Sequence, residues 1–422
     1  RILADVRIKS LQAALERKIQ PDSYERAGPR ENVFFDGENT TAAIVTCGGL
    51  CPGINNVIRS LVMALHYFYK VKRVIGIPYG YEGLNPEIGH DLIELTPDKV
   101  KDIHEFGGTI LGSSRGHQDV SVMVDTLVAN NIDILFDLSA QTGDNRLDTF
   151  VLKPAPIQIS YCGYPNSSGI KSMDYRITDK FCDSEHSQKY YQERLVFMNR
   201  CFLAYTPSMG IENIPEIVNE QPCIKNGYVT FGTFNRFNKV NDMVIGVWEK
   251  ILQRAPTARL AIKTKEFLTP KLKQKFFDTF KDKSVLERVI ILPYSDTYSE
   301  HLPDYNKMDI AIDTFPYSGT TTSCESLMMG VPILTLFDNV RHYHSQNVTT
   351  SLMKNCGLDE YVAYSQEEYI QKAVWFANNL NSLDGLKQRV RNAFVKGPIC
   401  DYNGFTDEFE NTLFDLYKKH KW

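Results

Sequence analysis

Two stretches of this 422-residue sequence have the residue types and spacing for phosphate chemistry. The longer is Asp313-Thr-Phe-Pro-Tyr-Ser-Gly-Thr-Thr-Thr-Ser-Cys-Glu-Ser-Leu-Met-Met-Gly-Val-Pro332. A strand ending at Asp313, a turn with Pro316 and Gly319, and the hydroxyls of Thr320, Thr321, Thr322 and Ser323 lead into a helix near Cys324. Backbone amides and hydroxyls at a helix N-terminus suit a diphosphate. Glu325, in the first turn, can accept hydrogen bonds from ribose hydroxyls. A helix capped by threonine would explain the hydroxyls but not the length of the pattern. The second stretch is Gly48-Gly49 followed by Pro52-Gly53, between a short apolar strand and a helix. Glycines there let backbone N–H groups approach a phosphate, although such turns are often only structural. Further glycine-rich segments follow at 76–83, which contains Tyr81, and at 107–116, where Arg115 is placed to bind a transferring phosphoryl group.

The elements that must position these groups follow a βα rhythm. Strands are expected at 41–47, 73–78 and 132–138, with helices at 54–69 and 120–129 and an earlier helical stretch at 8–17. A second rhythm begins at residue 225, with strands at 229–233, 260–263, 289–292, 310–313 and 333–336. A final amphipathic helix is expected at 404–419. Alternating strands and helices predict an α/β fold with parallel sheets and ligand loops at the strands' C-terminal ends. The length allows two or three domains, and the apolar content of 43% is that of a globular protein. The net charge of -4 gives no electrostatic reason to expect nucleic acid or an anionic membrane as partner. No run approaches the ~20 apolar residues of a membrane span. Nine scattered cysteines without a paired zinc pattern fit reduced thiols in a cytosolic or nuclear protein. His342 and His344 have metal-pair spacing but lack a third ligand, so no metal is expected. The first residue, Arg1, suggests a fragment.

From Tyr24-Glu-Arg-Ala-Gly-Pro-Arg to Phe136 the chain resembles the N-terminal part of a plant-type 6-phosphofructokinase. The resemblance implies that Gly48, Gly49 and the Arg115 loop contact a phosphoryl donor with Tyr81 nearby. Glu82 stands where that family usually has Arg, and His117-Gln118 where Gly-His is usual. The family's Gly-Gly-Asp-Gly loop and its Thr-Ile-Asp-Asn-Asp general-base segment do not occur in this sequence. These phosphate contacts are therefore expected to be vestigial.

From about residue 132 to 422 the chain resembles the protein O-GlcNAc transferase and SPINDLY family. Besides 313–332, the stretches that carry this are Lys153-Pro-Ala-Pro-Ile-Gln158, Gly163-Tyr-Pro-Asn-Ser-Ser-Gly169, Met173-Asp-Tyr-Arg-Ile-Thr-Asp179, Phe231-Gly-Thr-Phe-Asn-Arg-Phe-Asn-Lys239 and Cys356-Gly-Leu. The resemblance implies two Rossmann-like lobes of GT-B type, the donor in the cleft between them, and a C-terminal helix crossing back. It implies that Lys239 neutralises the leaving diphosphate, Asn235 shapes its loop, His301 lines the nucleoside pocket, Thr320, Thr321 and Thr322 hold the diphosphate, and Glu325 the ribose. The donor would be a UDP- or GDP-sugar, UDP-GlcNAc or GDP-fucose, with no further cofactor, and the acceptor a protein Ser or Thr hydroxyl. Gly319-Thr-Thr-Thr is the SPINDLY-type form of a loop that reads Gly-His-Thr-Thr in animal O-GlcNAc transferases. Ala140-Gln141-Thr142 replaces the family's Gly-His-Thr, so a histidine is lost. With the acceptor-gripping repeats also missing from this sequence, transfer is expected to be impaired.

The sequence thus divides into a truncated kinase-like segment at 1–136, the remainder of a glycosyltransferase N-terminal lobe at 137–224, and a donor lobe at 225–422. Both families expect a strand like Ile132-Asp-Ile-Leu-Phe136, and exchange at that strand would build a hybrid N-terminal sheet. A non-catalytic or mis-joined product is the alternative to an active transferase, and a sugar-phosphate kinase the third reading. Without the base and metal-site loops, a coupled assay with fructose 6-phosphate and ATP or pyrophosphate is expected to read zero. Measurable turnover there would overturn this division of labour.

Overall fold

A computed structural model of the chain describes residues 2–3, 23–24, 37–46, 54–114, 118–142, 145–206, 214–218 and 220–419. The expected helix at 8–17, and Gly48, Gly49 and Arg115, lie outside the described residues.

The N-terminal lobe starts with β1 (Thr41–Val45), α1 (Ile54–Met63), β2 (Arg73–Ile77) and β3 (Ile93–Glu94). It continues through α2 (Val120–Ala129), β4 (Ile134–Asp137), α3 (Leu147–Val151), β5 (Ile157–Ser160), β6 (Tyr175–Asp179) and β7 (Arg194–Met198). The seven strands form one sheet in the order β3-β2-β1-β4-β5-β6-β7, parallel except for the edge strand β3. Asp119 caps α2, its carboxylate accepting from the N–H groups of Ser121 and Val122. The single helix expected at 54–69 is instead α1 followed by a π-helical turn, Ala64–Phe68.

Strand β4 is where the two sequence resemblances meet, and it is bonded on both sides. Ala42 pairs with Ile134 and Val45 with Asp137 on one edge, while Ile134 pairs with Ile157 and Asp137 with Ser160 on the other. The kinase-like strands β1 and β2 thus continue the glycosyltransferase-like strands without a break in hydrogen bonding. Parallel strands buried on both faces need only apolar runs, which both contributors supply.

The C-terminal lobe contains β8 (Thr230–Thr233), α4 (Asp242–Arg254), β9 (Arg259–Ile262), α5 (Pro270–Thr279), β10 (Val289–Ile291), β11 (Ile310–Ile312), α6 (Thr321–Met328), β12 (Ile333–Leu336), α7 (His344–Asn355) and β13 (Val362–Ala363). Helices α8 (Gln366–Asn378), α9 (Leu386–Val395) and α10 (Tyr402–Lys419) complete it. Its sheet order is β10-β9-β8-β11-β12-β13, all parallel, with the chain reversing direction across the sheet between β8 and β11. That reversal opens a crevice at the strands' C-terminal ends, where ligands of doubly wound sheets bind. No helix among the described residues is long and apolar enough to cross a membrane.

Helix α10 returns to the N-terminal lobe and packs on α1 and β7. The Oγ of Ser60 and the Oγ1 of Thr406 stand 2.7 Å apart, and Asn199 N donates to Glu408 Oε1 at 2.8 Å. Asn56 Nδ2 donates to Thr206 Oγ1 at 2.8 Å. The kinase-like helix α1 is therefore tied by polar contacts to glycosyltransferase-like segments, beyond the apolar core the two share.

On α10, Glu410 is buried and its Oε1 has no hydrogen-bond partner among the described residues. Burial, reinforced by Asp407, pushes its carboxyl up to about 8. An unfolded Glu titrates near 4.3, so folding takes up a proton between the two values and stability falls as pH rises from about 4.5 through 8. Glu410→Gln should remove that loss. Urea unfolding is expected to show the variant more stable by about 1–3 kcal/mol at pH 8.5 and close to the parent at pH 4.5. An equal difference at both pH values would contradict the account.

Candidate functional site

The site is built around the carboxylate of Asp313, at the end of β11. Asp313 is 1% exposed. Its Oδ1 accepts from Gly319 N at 2.8 Å, Thr314 N at 2.9 Å and Asn235 Nδ2 at 3.1 Å, and its Oδ2 from Thr335 Oγ1 at 2.9 Å. Burial pushes this carboxyl up, while the hydrogen bonds from Thr349, Gly319, Thr335 and Thr314 oppose that rise. The carboxylate folds the loop 314–319 back over the strand end. Gly319 sits at the tightest point: a Cβ there would stand 2.3 Å from Ser323 Oγ and 3.1 Å from Asn235 Oδ1. Only glycine fits without displacing those side chains.

Asn235 links the two loops of the C-terminal lobe. It follows β8, donates to Asp313 and to Thr314 Oγ1 at 3.3 Å, and accepts from Thr322 Oγ1 at 2.7 Å. Four residues on, Lys239 ends the one-turn helix Phe237–Lys239. Its Nζ donates to Ser318 O at 2.7 Å and lies 4.2 Å from the centre of the Tyr317 ring. A half-buried ammonium is thereby held beside the first turn of α6. Thr320 occupies the N-cap of α6, yet its side chain makes no capping hydrogen bond. The sequence pattern allowed a threonine-capped helix; the geometry instead leaves the hydroxyl uncommitted to the helix end.

A cleft of about 270 Å³ joins these groups to the other lobe. Asn235, Arg236, Lys239, Tyr317, Thr320, Thr321, Thr322 and Val348 line it from the C-terminal side. Thr142, Cys162, Gly163, Pro165, Phe202 and Leu203 line it from the N-terminal side. Two cationic side chains, a helix N-terminus and three hydroxyls on one wall make a surface complementary to a diphosphate.

His301 and Glu325 form an adjoining cluster rather than part of the cleft's lining. His301 stands in the short helix Tyr298–His301. Its Nε2 is 3.3 Å from Glu325 Oε2, and Tyr305 OH donates to the same oxygen at 3.0 Å. The Phe234 ring packs between Tyr305, at 4.5 Å, and His301, at 5.4 Å. Glu325 is 5% exposed. Beside this cluster Lys263 is buried and bonded to Asp304 Oδ2 and Ser295 Oγ, each at 2.6 Å. The roles of Tyr305, Tyr317, Phe202 and Asp313 in shaping the site were not read from the sequence. The first two lie close to residues that were, at four positions from His301 and two from Gly319.

Tyr81, expected near a phosphoryl donor, is buried in the second core cluster with Val45, Ile77 and Leu84. His344, a candidate metal ligand with His342, is engaged by Asp183 instead. No group of three or more His, Cys, Asp or Glu placed to hold a metal occurs among the described residues.

Comparison with known proteins finds two families in the chain. The phosphofructokinase family model matches residues 41–155, and the glycosyl transferase family 41 model matches residues 116–209 and 211–409. The two overlap across α2, β4 and α3. Among curated proteins, the probable UDP-N-acetylglucosamine–peptide N-acetylglucosaminyltransferase SPINDLY of Hordeum vulgare is 39% identical over 301 residues, 70% of this chain and 31% of that protein. The ATP-dependent 6-phosphofructokinase of Amycolatopsis methanolica is 44% identical over 170 residues, 40% of this chain and 37% of that protein. This chain therefore spans about a third of the length of the curated relatives it matches. Among solved structures, a lysine-to-methionine mutant of the Thermobaculum terrenum O-GlcNAc transferase superposes with a TM-score of 0.73 at 26% identity, covering 93% of this chain and 71% of that one. A glycosyltransferase from Rickettsia africae shares the fold, with a TM-score of 0.52 at 10% identity.

The Asn235 bridge makes a specific prediction. Asn235→Ala should cost about 1–3 kcal/mol in urea unfolding, because Asp313, Thr314 and Thr322 each lose a partner. Asn235→Asp should cost more, since it faces a second carboxylate to buried Asp313. Equal losses in the two variants would show that the bridge does not govern this loop.

With a family model covering most of its length and the two-lobed fold that such enzymes share, the chain belongs to glycosyl transferase family 41, and a phosphofructokinase-like segment forms the first part of its N-terminal lobe.

Proposed function

We propose that the chain is a protein O-glycosyltransferase that moves a sugar from a nucleotide-sugar donor, UDP-GlcNAc or GDP-fucose, to Ser or Thr hydroxyls. The observation that carries this reading is the fixed position of Lys239. Its ammonium is held by Ser318 O and the Tyr317 ring beside the N-terminus of α6, on the wall of the interlobe cleft. When the bond from the sugar to the diphosphate breaks, negative charge grows on the leaving oxygen. A cation already oriented there stabilises that charge more than it stabilises the bound donor, which is the condition for catalysis.

Thr320, Thr321 and Thr322 supply hydroxyls for the diphosphate, and the α6 terminus adds its dipole. Glu325 would take the ribose hydroxyls, with His301 and Tyr305 holding its carboxylate at one oxygen. Asn235 and Gly319 keep the loop in shape. Phosphate charge can be met by this set alone, so no metal is assigned to the reaction. The name of the Hordeum vulgare relative gives UDP-N-acetylglucosamine as its donor, one of the two donors of this reading. Residues 1–136 take no part in the chemistry under this reading, and a non-catalytic fusion is the outcome if the cleft fails to bind nucleotide.

Calorimetry on the full chain with UDP, GDP, UDP-GlcNAc and GDP-fucose is expected to show binding of one nucleotide series. Absence of binding to all four would sink the reading. Lys239→Met should leave nucleotide affinity within about tenfold while lowering transfer about 10²-fold or more, the size of loss seen when one transition-state charge contact is removed. Loss of affinity and transfer by equal factors would make Lys239 a ground-state binding residue instead.

A further inference from the structure

A buried polar cluster between the lobes is not used by the donor cleft. Asp183, in the loop after β6, and His344, the first residue of α7, are both inaccessible to solvent. His344 Nδ1 is 2.7 Å from Asp183 Oδ2. Tyr191 OH donates to Asp183 Oδ1 at 2.9 Å, and Thr178 Oγ1 to Oδ2 at 2.5 Å. Burial acts to raise the Asp183 carboxyl, but His344 and Thr178 outweigh it and hold the group below its usual range. His344 Nε2 has no hydrogen-bond partner among the described residues, so the ring is anchored through Nδ1.

The opposite side of the same helix turn holds the donor loop. Ser345 O, one residue after His344, accepts from Ser318 N at 2.9 Å and from Ser318 Oγ at 3.0 Å. One turn on, Thr349 Oγ1 donates to Gly319 O at 3.1 Å, and Val348 lines the cleft itself. Helix α7 therefore grips the N-terminal lobe with His344, and further on with Asn347 Nδ2 donating to Cys182 O at 3.2 Å and Ser351 Oγ to Asp179 Oδ2 at 2.6 Å, while Ser345 and Thr349 hold the loop 318–319. A buried carboxylate resists losing its donors, because separating it from them leaves an unpaired charge in a medium that cannot solvate it. Moving α7 to relax the donor loop would break the contact between Asp183 and His344.

We propose that Asp183 and His344 are a positioning pair through which the N-terminal lobe sets the place of the donor loop, so that affinity for a nucleoside diphosphate depends on a residue of the opposite lobe. The link to affinity rests on the glycosyltransferase reading, whereas the mechanical link does not. The contact between Asp183 and His344 is the strut, α7 the lever, and the backbone of Ser318 and Gly319 the load.

The test uses the full chain as parent, Asp183→Asn, His344→Gln and the milder Tyr191→Phe, which removes only one hydrogen bond to Asp183. Hydrogen exchange without nucleotide is followed in peptides covering 313–330 and, as a control in the same lobe, Asp242–Arg254 of α4. Faster exchange of the loop by about tenfold in Asp183→Asn and His344→Gln, and about twofold in Tyr191→Phe, with α4 unchanged, is expected. Unchanged loop exchange, or an equal rise in loop and α4, would overturn the proposal. Should the first two variants fail to fold, the Tyr191→Phe comparison decides by the same criterion. Calorimetry with UDP and GDP then separates the two readings. A Kd raised about fivefold or more in Asp183→Asn and unchanged in Asn199→Ala, which loosens only α10 from β7, supports the link to affinity. An unaltered Kd in Asp183→Asn overturns that link. If the parent binds neither nucleotide, the glycosyltransferase reading fails and with it the link to affinity, while the exchange data still decide the mechanical one.

Discussion

A buried carboxylate at the C-terminal end of a strand is the constraint on which the cleft depends. It occurs three times among the described residues. Asp137, at the end of β4, accepts from Ser139 N and Ala140 N, each at 3.0 Å. Asp179, at the end of β6, accepts from Phe181 N at 2.8 Å, Cys182 N at 2.9 Å and Phe202 N at 2.9 Å. Asp313 holds Thr314 N and Gly319 N. A strand end leaves backbone N–H groups of the following loop without ladder partners, and burying them unpaired would cost about 1–3 kcal/mol each. One carboxylate satisfies two or three of them and so fixes the direction in which each loop leaves its sheet. Those directions bring Thr142, Phe202 and Thr320 to one cleft.

The same constraint explains how a sheet of mixed parentage can carry an ordered site. A parallel strand in the middle of a sheet is defined by apolar side chains and a backbone ladder, and β4 meets both conditions towards β1 and towards β5. Side-chain chemistry enters only after the strand ends, at Asp137. The ladder is indifferent to which enzyme supplied β1, but the loop after Asp137 is not, and that loop lies where both family models match.

What could be read from the sequence follows from the same physics. Strands 41–45 and 333–336 are short apolar runs, and α2 has an aspartate cap followed by an apolar run, so both were legible within a residue or two. Strands β5, β6 and β7 were not anticipated. Gln158, Ser160, Arg176, Thr178 and Asp179 lie within β5 and β6 and are fully buried, which breaks the apolar signature of an interior strand. Their partners are tertiary: Gln158 Nε2 donates to Phe150 O at 2.9 Å, and Arg176 Nη2 to Tyr164 O at 3.0 Å. In the site, the hydroxyl run and the lysine were visible as residue types. The convergence of Asn235, Asp313 and Thr322 was not, since 78 residues separate Asn235 from its carboxylate partner. The Asp183–His344 pair, 161 residues apart, has no local signature at all.

The cleft's composition then says what the kinase-like segment is for. Every described residue lining it, from Thr142 to Val348, follows β4 in the chain. The kinase-like residues Ala42, Ile44, Ile54, Val57, Ile58 and Leu61 are instead packed into the core cluster that continues through Phe136 and Ile159 to Phe405 and Phe409. Burying such side chains contributes about 1.5–3 kcal/mol each before the entropy of ordering them is subtracted. Their effect reaches the chemistry only through the sheet and through α10, which α1 helps to hold in place. Asp179 and Asp183 flank the turn after β6, so the placement of that strand in the hybrid sheet sets the placement of the pair that grips α7. The borrowed strands therefore act on the loop 318–319 as a foundation acts on a hinge, by fixing where β6 ends, and none of their described residues lines the cleft.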